Sequence, residues 1–200
     1  RRVLFRSTIS DAFLELYQAG KLTNAHKELD TGLSAWNLAM GSQELYDWLD
    51  AEPQLFHPGD LDYIHSVERI SKLSNVISIN GGVQLDLMGQ ENAESTGTRQ
   101  LSGVGGQMDF LEGAYRSKGG KGFICINSSR VTKDGERKSN ILATIPGGST
   151  ISAPRTMIQY VATEYGIASL SGKTLRERAE AMASIAHPDF REELMKYARE

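Results

Sequence analysis

Short apolar runs of strand length alternate along this chain with segments whose apolar residues recur at helical spacing, and this alternation limits the fold more than any other feature. Many of the runs end at glycine, proline or polar turn residues, as strands do. Strands that alternate with helices predict an α/β domain. Strands are predicted over 35–40, 76–79, 83–88, 122–126, 138–145 and 158–163, and helices over 10–20, 42–52, 67–73, 109–116 and 174–186.

Helix ends and strand burial are predicted from local sequence. Ser42 and Thr174 precede helical segments and are typical N-cap residues. Pro188 follows the last of these segments and is suited to begin another helix. The apolar run at 76–79 predicts a buried strand, whereas the alternation of apolar and polar residues at 83–88 predicts a half-buried one.

Composition excludes several classes of protein. The chain has 200 residues, enough for one domain or for one domain and part of another. Its 40% apolar and 24% charged residues are typical of a globular chain. Lysines and arginines are scattered and the net charge is −3, so we expect no nucleic-acid partner. No apolar run approaches the ~20 residues of a membrane helix, so we expect no membrane association.

The cysteine and histidine content argues against disulfides and metals. Cys125 is the single cysteine, which excludes internal disulfides and fits a reducing compartment such as the cytoplasm. It lies in the apolar run FICI, which predicts core packing rather than a reactive thiol. His26, His57, His65 and His187 show no metal-ligand spacing, so no metal is expected.

The N-terminal segment RRVLFRS has three arginines but neither the long apolar stretch nor the cleavage site of a signal peptide. It is the translation of AGACGTGTGCTCTTCCGATCT, which resembles a common sequencing adapter. We therefore expect residues 1–7 to be a read-through artefact, natural sequence to begin near Thr8, and the chain to be a piece of a longer protein.

A glycine cluster stands out in LSGVGGQMDF at 101–110, just ahead of a predicted helix. Glycine is costly to order, so such a cluster indicates either a tight turn or a close approach of the backbone to a ligand. The spacing fits neither the dinucleotide fingerprint nor the P-loop. From the residues alone, both interpretations stay open.

Six separated stretches of the chain form a recognisable series. They are TISDAF at 8–13, MGSQELYDW at 40–48, DLMGQENAES at 86–95, RQLSGVGGQMDF at 99–110, VATEYGIASLSGKTLRERAEAM at 161–182 and AHPDFREEL at 186–194. In this order they closely resemble the C-terminal domain of the acetyl-CoA hydrolase/transferase family, which includes acetate- and 4-hydroxybutyrate-type CoA-transferases. The resemblance runs from about Thr8 to the end of the chain.

The resemblance implies an α/β domain of the NagB/RpiA/CoA-transferase type, covering 8–200 and forming the C-terminal half of a two-domain protein. The active site would lie between this half and the missing N-terminal domain. A glutamate carboxylate would attack an acyl-CoA thioester and become a glutamyl-CoA thioester, from which a small carboxylate collects the CoA. Coenzyme A is then a substrate, no cofactor is permanently bound, and a homo-oligomer is an expected assembly.

The resemblance also implies roles for particular residues. Gly105 or Gly106 would donate a backbone N–H to the oxyanion of the tetrahedral intermediates, because glycine lets the donor approach without a Cβ in the way. Ser102 and Gly103 would line the thiol end of CoA.

Other assignments each have a structural alternative. Glu164 resembles a carboxylate near the active site, or it pairs with a nearby arginine. Asn80 and Asn92 resemble positions near the pantetheine arm or the substrate carboxylate, or they hydrogen-bond their own turns. Lys133 approaches the CoA phosphates, or it is a solvated turn lysine.

This chain departs from the family pattern at two points. The nucleophilic glutamate normally lies in an HTEM-like segment ahead of ISD, and counting back from Ile9 gives Ser7, so the glutamate is not in this chain. His65 occupies a position where many relatives have asparagine, which indicates either a different acyl or acceptor preference or a helix-capping or surface histidine. The leading interpretation is a CoA-transferase; the alternatives are an acetyl-CoA hydrolase and a non-catalytic CoA-binding domain.

Overall fold

The computed structural model describes residues 7–199 and is a mixed α/β structure. The adapter-like residues 1–6 lie outside the described part. The helices are α1 Asp11–Gln18, α2 Gln43–Ala51, α3 Leu61–Ile64, α4 Val67–Lys72, α5 Gln107–Arg116, α6 Leu175–Ser184 and α7 Pro188–Arg199. The strands are β1 Thr8–Ile9, β2 Ser34–Trp36, β3 Leu38–Ala39, β4 Phe56–Pro58, β5 Ile77–Gly81, β6 Gln84–Asp86, β7 Glu91–Asn92, β8 Ser95–Thr96, β9 Arg99–Gln100, β10 Lys121–Cys125, β11 Ser129–Val131, β12 Arg137–Ser139, β13 Ile141–Leu142, β14 Tyr160–Thr163 and β15 Gly166–Ser169.

The chain divides into two compact units, of which the first holds residues up to Val76 together with Arg116–Gly120. Here β1 pairs with β3 and β2 with β4, both in parallel. The centre of this unit is aromatic, with the rings of Trp48 and Phe56 4.9 Å apart and nearly perpendicular. Ser42 caps α2 as predicted, because its Oγ accepts a hydrogen bond from the Leu45 N–H.

The second unit, Ile77–Tyr115 together with Lys121 onward, is built on a four-stranded sheet in the order β15-β14-β10-β5. Strands β5, β10 and β14 are parallel, and β15 returns antiparallel beside β14. The core contains Ile124 and Val161 from the sheet, Leu111 from α5 and Met182 from α6, all fully buried. A capping box on Thr174 begins α6, and Pro188 begins α7, as predicted.

Four expectations need correction. Ile77 and Ile79 of β5 are 63% and 61% exposed, because they point away from the core that covers the other face of the sheet. Every residue of β6 is buried, not every second one, because Leu85 lies in the core on one face and the polar side chains of Gln84 and Asp86 are also covered on the other. Cys125 points to the same side as Ile79 and is exposed. Strand β15 was not predicted, because its residues GIAS are small and polar as well as apolar.

No helix within residues 7–199 combines the length and the apolar character that crossing a bilayer requires.

A buried arginine joins three separate segments of the second unit. Arg178 on α6 is only 8% exposed. Its Nε donates to the Met88 carbonyl at 2.9 Å. Its Nη1 donates to the Leu170 carbonyl at 2.9 Å and its Nη2 to the Arg155 carbonyl at 2.8 Å. One guanidinium therefore satisfies carbonyls from the β6–β7 turn, the end of β15 and the loop ahead of β14.

Replacing Arg178 by methionine should strongly destabilise the second unit. The variant leaves three carbonyls without their donor, so we expect the free energy of unfolding to fall by about 3 kcal/mol or more. Urea unfolding followed by circular dichroism measures the change. Arg176→Met is the matched control, because Arg176 is exposed and forms a surface ion pair with Glu180 one turn away, so its loss should cost less than about 0.5 kcal/mol. Equal losses in the two variants would contradict this role of Arg178.

Candidate active site

The carboxyl ends of β5, β10 and β14 lie at one edge of the sheet because the three strands are parallel. Ligands of open α/β sheets bind at this edge. The segments that leave it are Gly82 after β5, residues 126–128 after β10 and Glu164 after β14. These positions define the candidate site within the second unit.

Glu164 is held at this edge by Ser128. The Ser128 N–H donates to Glu164 Oε2 at 2.9 Å, and the Ser128 hydroxyl donates to Oε1 at 2.5 Å. Ser128 itself is fully buried, whereas Glu164 is exposed. Partial desolvation opposes ionisation of Glu164, but the hydrogen bonds from Ser128 and a weaker attraction to His187 outweigh it, so the pKa of Glu164 is lowered. The expected alternative of an arginine partner is wrong, because the carboxylate accepts from a serine.

The glycine loop, residues 101–106, lies at the surface immediately before α5. Its start is fixed by the Glu94 carbonyl, which accepts from the Leu101 N–H at 2.7 Å and from the Ser102 N–H at 3.3 Å. Gly105 has φ +60° and open space where a Cβ would stand, so a side chain there would strain the backbone without meeting a neighbour. The loop is therefore both a sharp turn and a bare backbone surface.

The backbone N–H groups of Gly105 and Gly106 are available to a ligand. Within residues 7–199 neither of them donates to a protein acceptor. Gly106 directly precedes α5, whose first N–H groups are also unpaired within the helix. Donors arranged in this way, at the positive end of a helix, suit a negatively charged oxygen. Ser102 and Gly103 lie in the same exposed loop, where the Ser102 hydroxyl donates to the Gly103 carbonyl.

The two asparagines have different surroundings. Asn80, near the end of β5, is half-buried and donates to the Ser78 hydroxyl at 2.7 Å. Asn92 is fully buried, and its Oδ1 accepts from the N–H groups of Glu94 and Ser95 while its Nδ2 donates to the Ser95 carbonyl. Asn92 therefore serves its own turn, as the structural alternative predicted.

Lys133 and His65 have different surroundings. Lys133 is exposed in the turn between β11 and β12, which is closed by a hydrogen bond from the Thr132 N–H to the Glu136 carbonyl. His65 is half-buried and forms the C-cap of α3, in agreement with the helix-capping interpretation.

Three contributors to this region were missed from sequence: Ser128, Glu91 and Gln107. Each acts through a partner that is distant along the chain, so no local motif marks it. Two cavities lie away from these residues, one of about 920 Å³ along the exposed side of α7 and one of about 200 Å³ in the first unit. The first is open to solvent and the second is small, and neither is lined by a predicted site residue. No cluster of metal-ligating side chains occurs in the part of the chain that the structure describes.

The parallel strands and the helices define an α/β protein, and comparison with known proteins gives its family. The chain belongs to the acetyl-CoA hydrolase/transferase family, whose C-terminal domain model matches residues 41–198.

Two curated relatives are similar over 94% of the chain. One is butyryl-CoA:acetate CoA-transferase from Anaerostipes caccae, 44% identical, of which 42% is covered. The other is 4-hydroxybutyrate coenzyme A transferase from Clostridium kluyveri, 45% identical, of which 43% is covered. The crystal structure of RipA from Yersinia pestis is 37% identical over 96% of this chain and 42% of that one, with a TM-score of 0.87. The chain thus spans less than half the length of these relatives.

Removing the Ser128 hydroxyl should raise the pKa of Glu164. In Ser128→Ala the carboxylate keeps the backbone donor and loses the side-chain donor, so its ionised form is less favoured. Carbon-13 NMR titration of labelled glutamate measures the change. Because the folded-state pKa is lowered, ionised Glu164 stabilises the fold above its ordinary pKa, and this contribution disappears as the pH falls.

Ser129→Ala is the control, because the Ser129 hydroxyl accepts from Arg137 and does not contact Glu164. The control should leave the Glu164 titration unchanged. A titration equally unchanged in Ser128→Ala would contradict the assigned interaction.

Proposed function

We propose that the chain is the C-terminal domain of an acyl-CoA:carboxylate CoA-transferase with the NagB/RpiA/CoA-transferase fold. The observation that carries the proposal is the glycine loop, whose Gly105 and Gly106 N–H groups are free to bind an anion at the start of α5. An N-terminal domain of the longer protein would complete the site. Residues 1–7 are best explained as adapter sequence, with 8–200 as the domain.

The proposed reaction proceeds through the nucleophilic glutamate that would stand ahead of Thr8 in the longer protein. Its carboxylate attacks the acyl-CoA carbonyl, and the C–S bond breaks to give a mixed anhydride and CoA thiolate. The thiolate attacks the glutamyl carbonyl, releases the first carboxylate and leaves a glutamyl-CoA thioester. The acceptor carboxylate then attacks the glutamyl-CoA thioester, which releases CoA thiolate and gives a second mixed anhydride. The thiolate attacks the acceptor's carbonyl, which forms the new acyl-CoA and frees the glutamate carboxylate.

The role of the glycine loop follows from the charge that develops in each step. Every attack places negative charge on a carbonyl oxygen, and one positioned N–H donor contributes about 3–4 kcal/mol to the stabilisation of such a transition state. Gly105 and Gly106 supply these donors. Glu164, held by Ser128, is a carboxylate at the same sheet edge that stays ionised because its pKa is lowered.

Binding of coenzyme A would use the neighbouring residues. Ser102 and Gly103 would contact the thiol end, Asn80 would contact the pantetheine arm, and Lys133 would approach the phosphates as a point charge. Coenzyme A is a substrate in this scheme, with no resident cofactor. The cytoplasmic location and the homo-oligomer remain predictions.

Acetyl-CoA hydrolysis is the second candidate, because the matching family contains hydrolases as well as transferases. Water would then replace the acceptor carboxylate at the last acyl transfer. A non-catalytic CoA-binding domain would require a natural residue other than glutamate at the nucleophile position.

Valine at Gly105 or Gly106 should reduce turnover in the longer protein. Gly105 has a φ of +60°, which a β-branched residue tolerates poorly, so valine there would turn its N–H away. Gly106 is outside that region, and valine there would instead crowd the approach of a ligand to its N–H. For either variant we expect a loss of ~10²–10³-fold in turnover. Turnover is measured beside thermal unfolding. The matched control is Gly172→Val, because Gly172 also has positive φ and open surroundings but lies between β15 and α6, where no site residue is assigned.

The control should lose stability with normal turnover of the folded fraction. If Gly105→Val and Gly106→Val behave like Gly172→Val, the glycines serve only the turn.

Borohydride should trap a glutamyl-CoA thioester in the longer protein incubated with acyl-CoA, because hydride reduces a thioester intermediate and inactivates the enzyme. Mass spectrometry of the modified peptide gives the result. CoA transfer should require a carboxylate acceptor, whereas release of free CoA at the same rate without acceptor would favour the hydrolase. The 200-residue chain alone should show no turnover, and turnover by it would overturn the two-domain proposal.

A further inference from the structure

Glu91 is a buried carboxylic acid that the proposed reaction does not use. It lies on β7, is fully buried, and is paired with Leu85 of β6. Its N–H donates to the Ala153 carbonyl, and its own carbonyl accepts from the Ser152 N–H. The backbone of Glu91 is thus held by β6 on one side and by the 152–153 segment on the other. This restricts the directions in which its side chain can extend.

The side chain of Glu91 reaches the first residue of α5. Gln107 Nε2 donates to Glu91 Oε2 at 2.5 Å. Glu91 Oε1 is buried and has no hydrogen-bond partner within residues 7–199. A Cβ on Gly82 would lie 2.6 Å from this Oε1, so the glycine after β5 leaves the space that the carboxyl occupies. Gly82, Glu91 and Gln107 therefore form one contact between the sheet edge and the start of α5.

Gln107 directly follows the glycine loop in sequence, so its side-chain position and the direction of the Gly106 peptide are linked by a few backbone bonds. The hydrogen bond to Glu91 anchors the side chain of this first helical residue. Any change at the Glu91 carboxyl is transmitted first to the end of the loop.

We propose that Glu91 is a positioning residue for the glycine loop: through Gln107 it fixes the first turn of α5 and the direction of the Gly105 and Gly106 N–H groups. This inference deepens the proposed function and rests on it for its catalytic meaning. The geometric link itself is independent of that function.

We expect the hydrogen bond between Glu91 and Gln107 to change when Glu91 is protonated. Burial raises the pKa of Glu91 to about 7, and the hydrogen bond from Gln107 opposes this rise. The charged or ionisable side chains on the surrounding elements include Asp86 on β6, Glu94 after β7, Arg155 in the loop ahead of β14, and Asp109, Glu112 and Arg116 on α5. The ionised form leaves a charge on unpartnered Oε1, and the protonated form leaves a hydroxyl there without an acceptor. Neither form is fully satisfied, so the two are balanced near neutral pH.

The test follows the amide resonances of Gly105 and Gly106 by NMR in the 200-residue chain between pH 5 and 9, with the Glu91 carboxyl titrated in parallel. Both glycine signals should shift with a midpoint near 7, in step with Glu91. In Glu91→Gln, which keeps the size and an acceptor oxygen, the glycine signals should not titrate over this range. In Gln107→Leu, Glu91 should titrate at a still higher pH and the glycine response should be lost.

Glu94→Gln is the matched control, because Glu94 is also a buried carboxylate close in sequence but accepts from the Ser152 hydroxyl. Its glycine titration should equal that of the parent chain. Glycine signals that stay flat while Glu91 titrates, or that titrate unchanged in Glu91→Gln, would overturn the proposal.

The effect of Glu91 on catalysis is measured in the longer protein. The pH profile of kcat should contain a step near pH 7 that disappears in Glu91→Gln, while KM for the acyl-CoA changes less than twofold. A step that persists in Glu91→Gln would overturn the catalytic part of the inference. If the glycine signals follow Glu91 but the longer protein transfers no CoA, the proposed function fails and the positioning role stands.

Discussion

The three hydrogen bonds of Arg178 are the interaction on which the second unit most depends. A buried guanidinium is costly unless its donors are satisfied, and here three of them meet carbonyls at 2.8–2.9 Å. The carbonyls belong to irregular segments that would otherwise bury unpaired acceptors. By satisfying them, Arg178 ties α6 to the turn ahead of β7 and to both sides of the β14–β15 hairpin. That hairpin carries Glu164 and β7 carries Glu91, so the candidate site is supported from the opposite side of the core.

Local chemistry explains which parts of the fold were predictable. Ser42 and Thr174 were recognised because an N-cap needs only a side-chain oxygen and a donor three residues on. The exposure of Ile79 and Cys125 was not recognised, because it depends on which face of the sheet the helices cover. A run such as FICI has the same appearance whether one face or both faces are buried.

The residues of the candidate site also divide into those that a local motif marks and those that only the folded chain brings together. The glycine loop and Glu164 were found because their sequences form recognisable motifs, and the loop does expose unpaired N–H groups. Ser128 was missed because it meets Glu164 across 36 residues of chain. Glu91 was missed because its partner Gln107 and the opening left by Gly82 are brought to it only by the folded sheet. Such contacts have no signature in a single sequence.

The strand order also determines which strand pairs are local in the chain and which require long loops to close during folding. The β14–β15 hairpin closes through a short turn that contains Glu164, so it can form within microseconds. The parallel pairs β5–β10 and β10–β14 each enclose a long intervening segment, and closing such loops is entropically costly and slow. Glu164 lies in the turn of this hairpin, whereas its partner Ser128 follows β10. The hydrogen bonds that lower the pKa of Glu164 therefore depend on the parallel pairing of β10 with β14 and not on the hairpin alone.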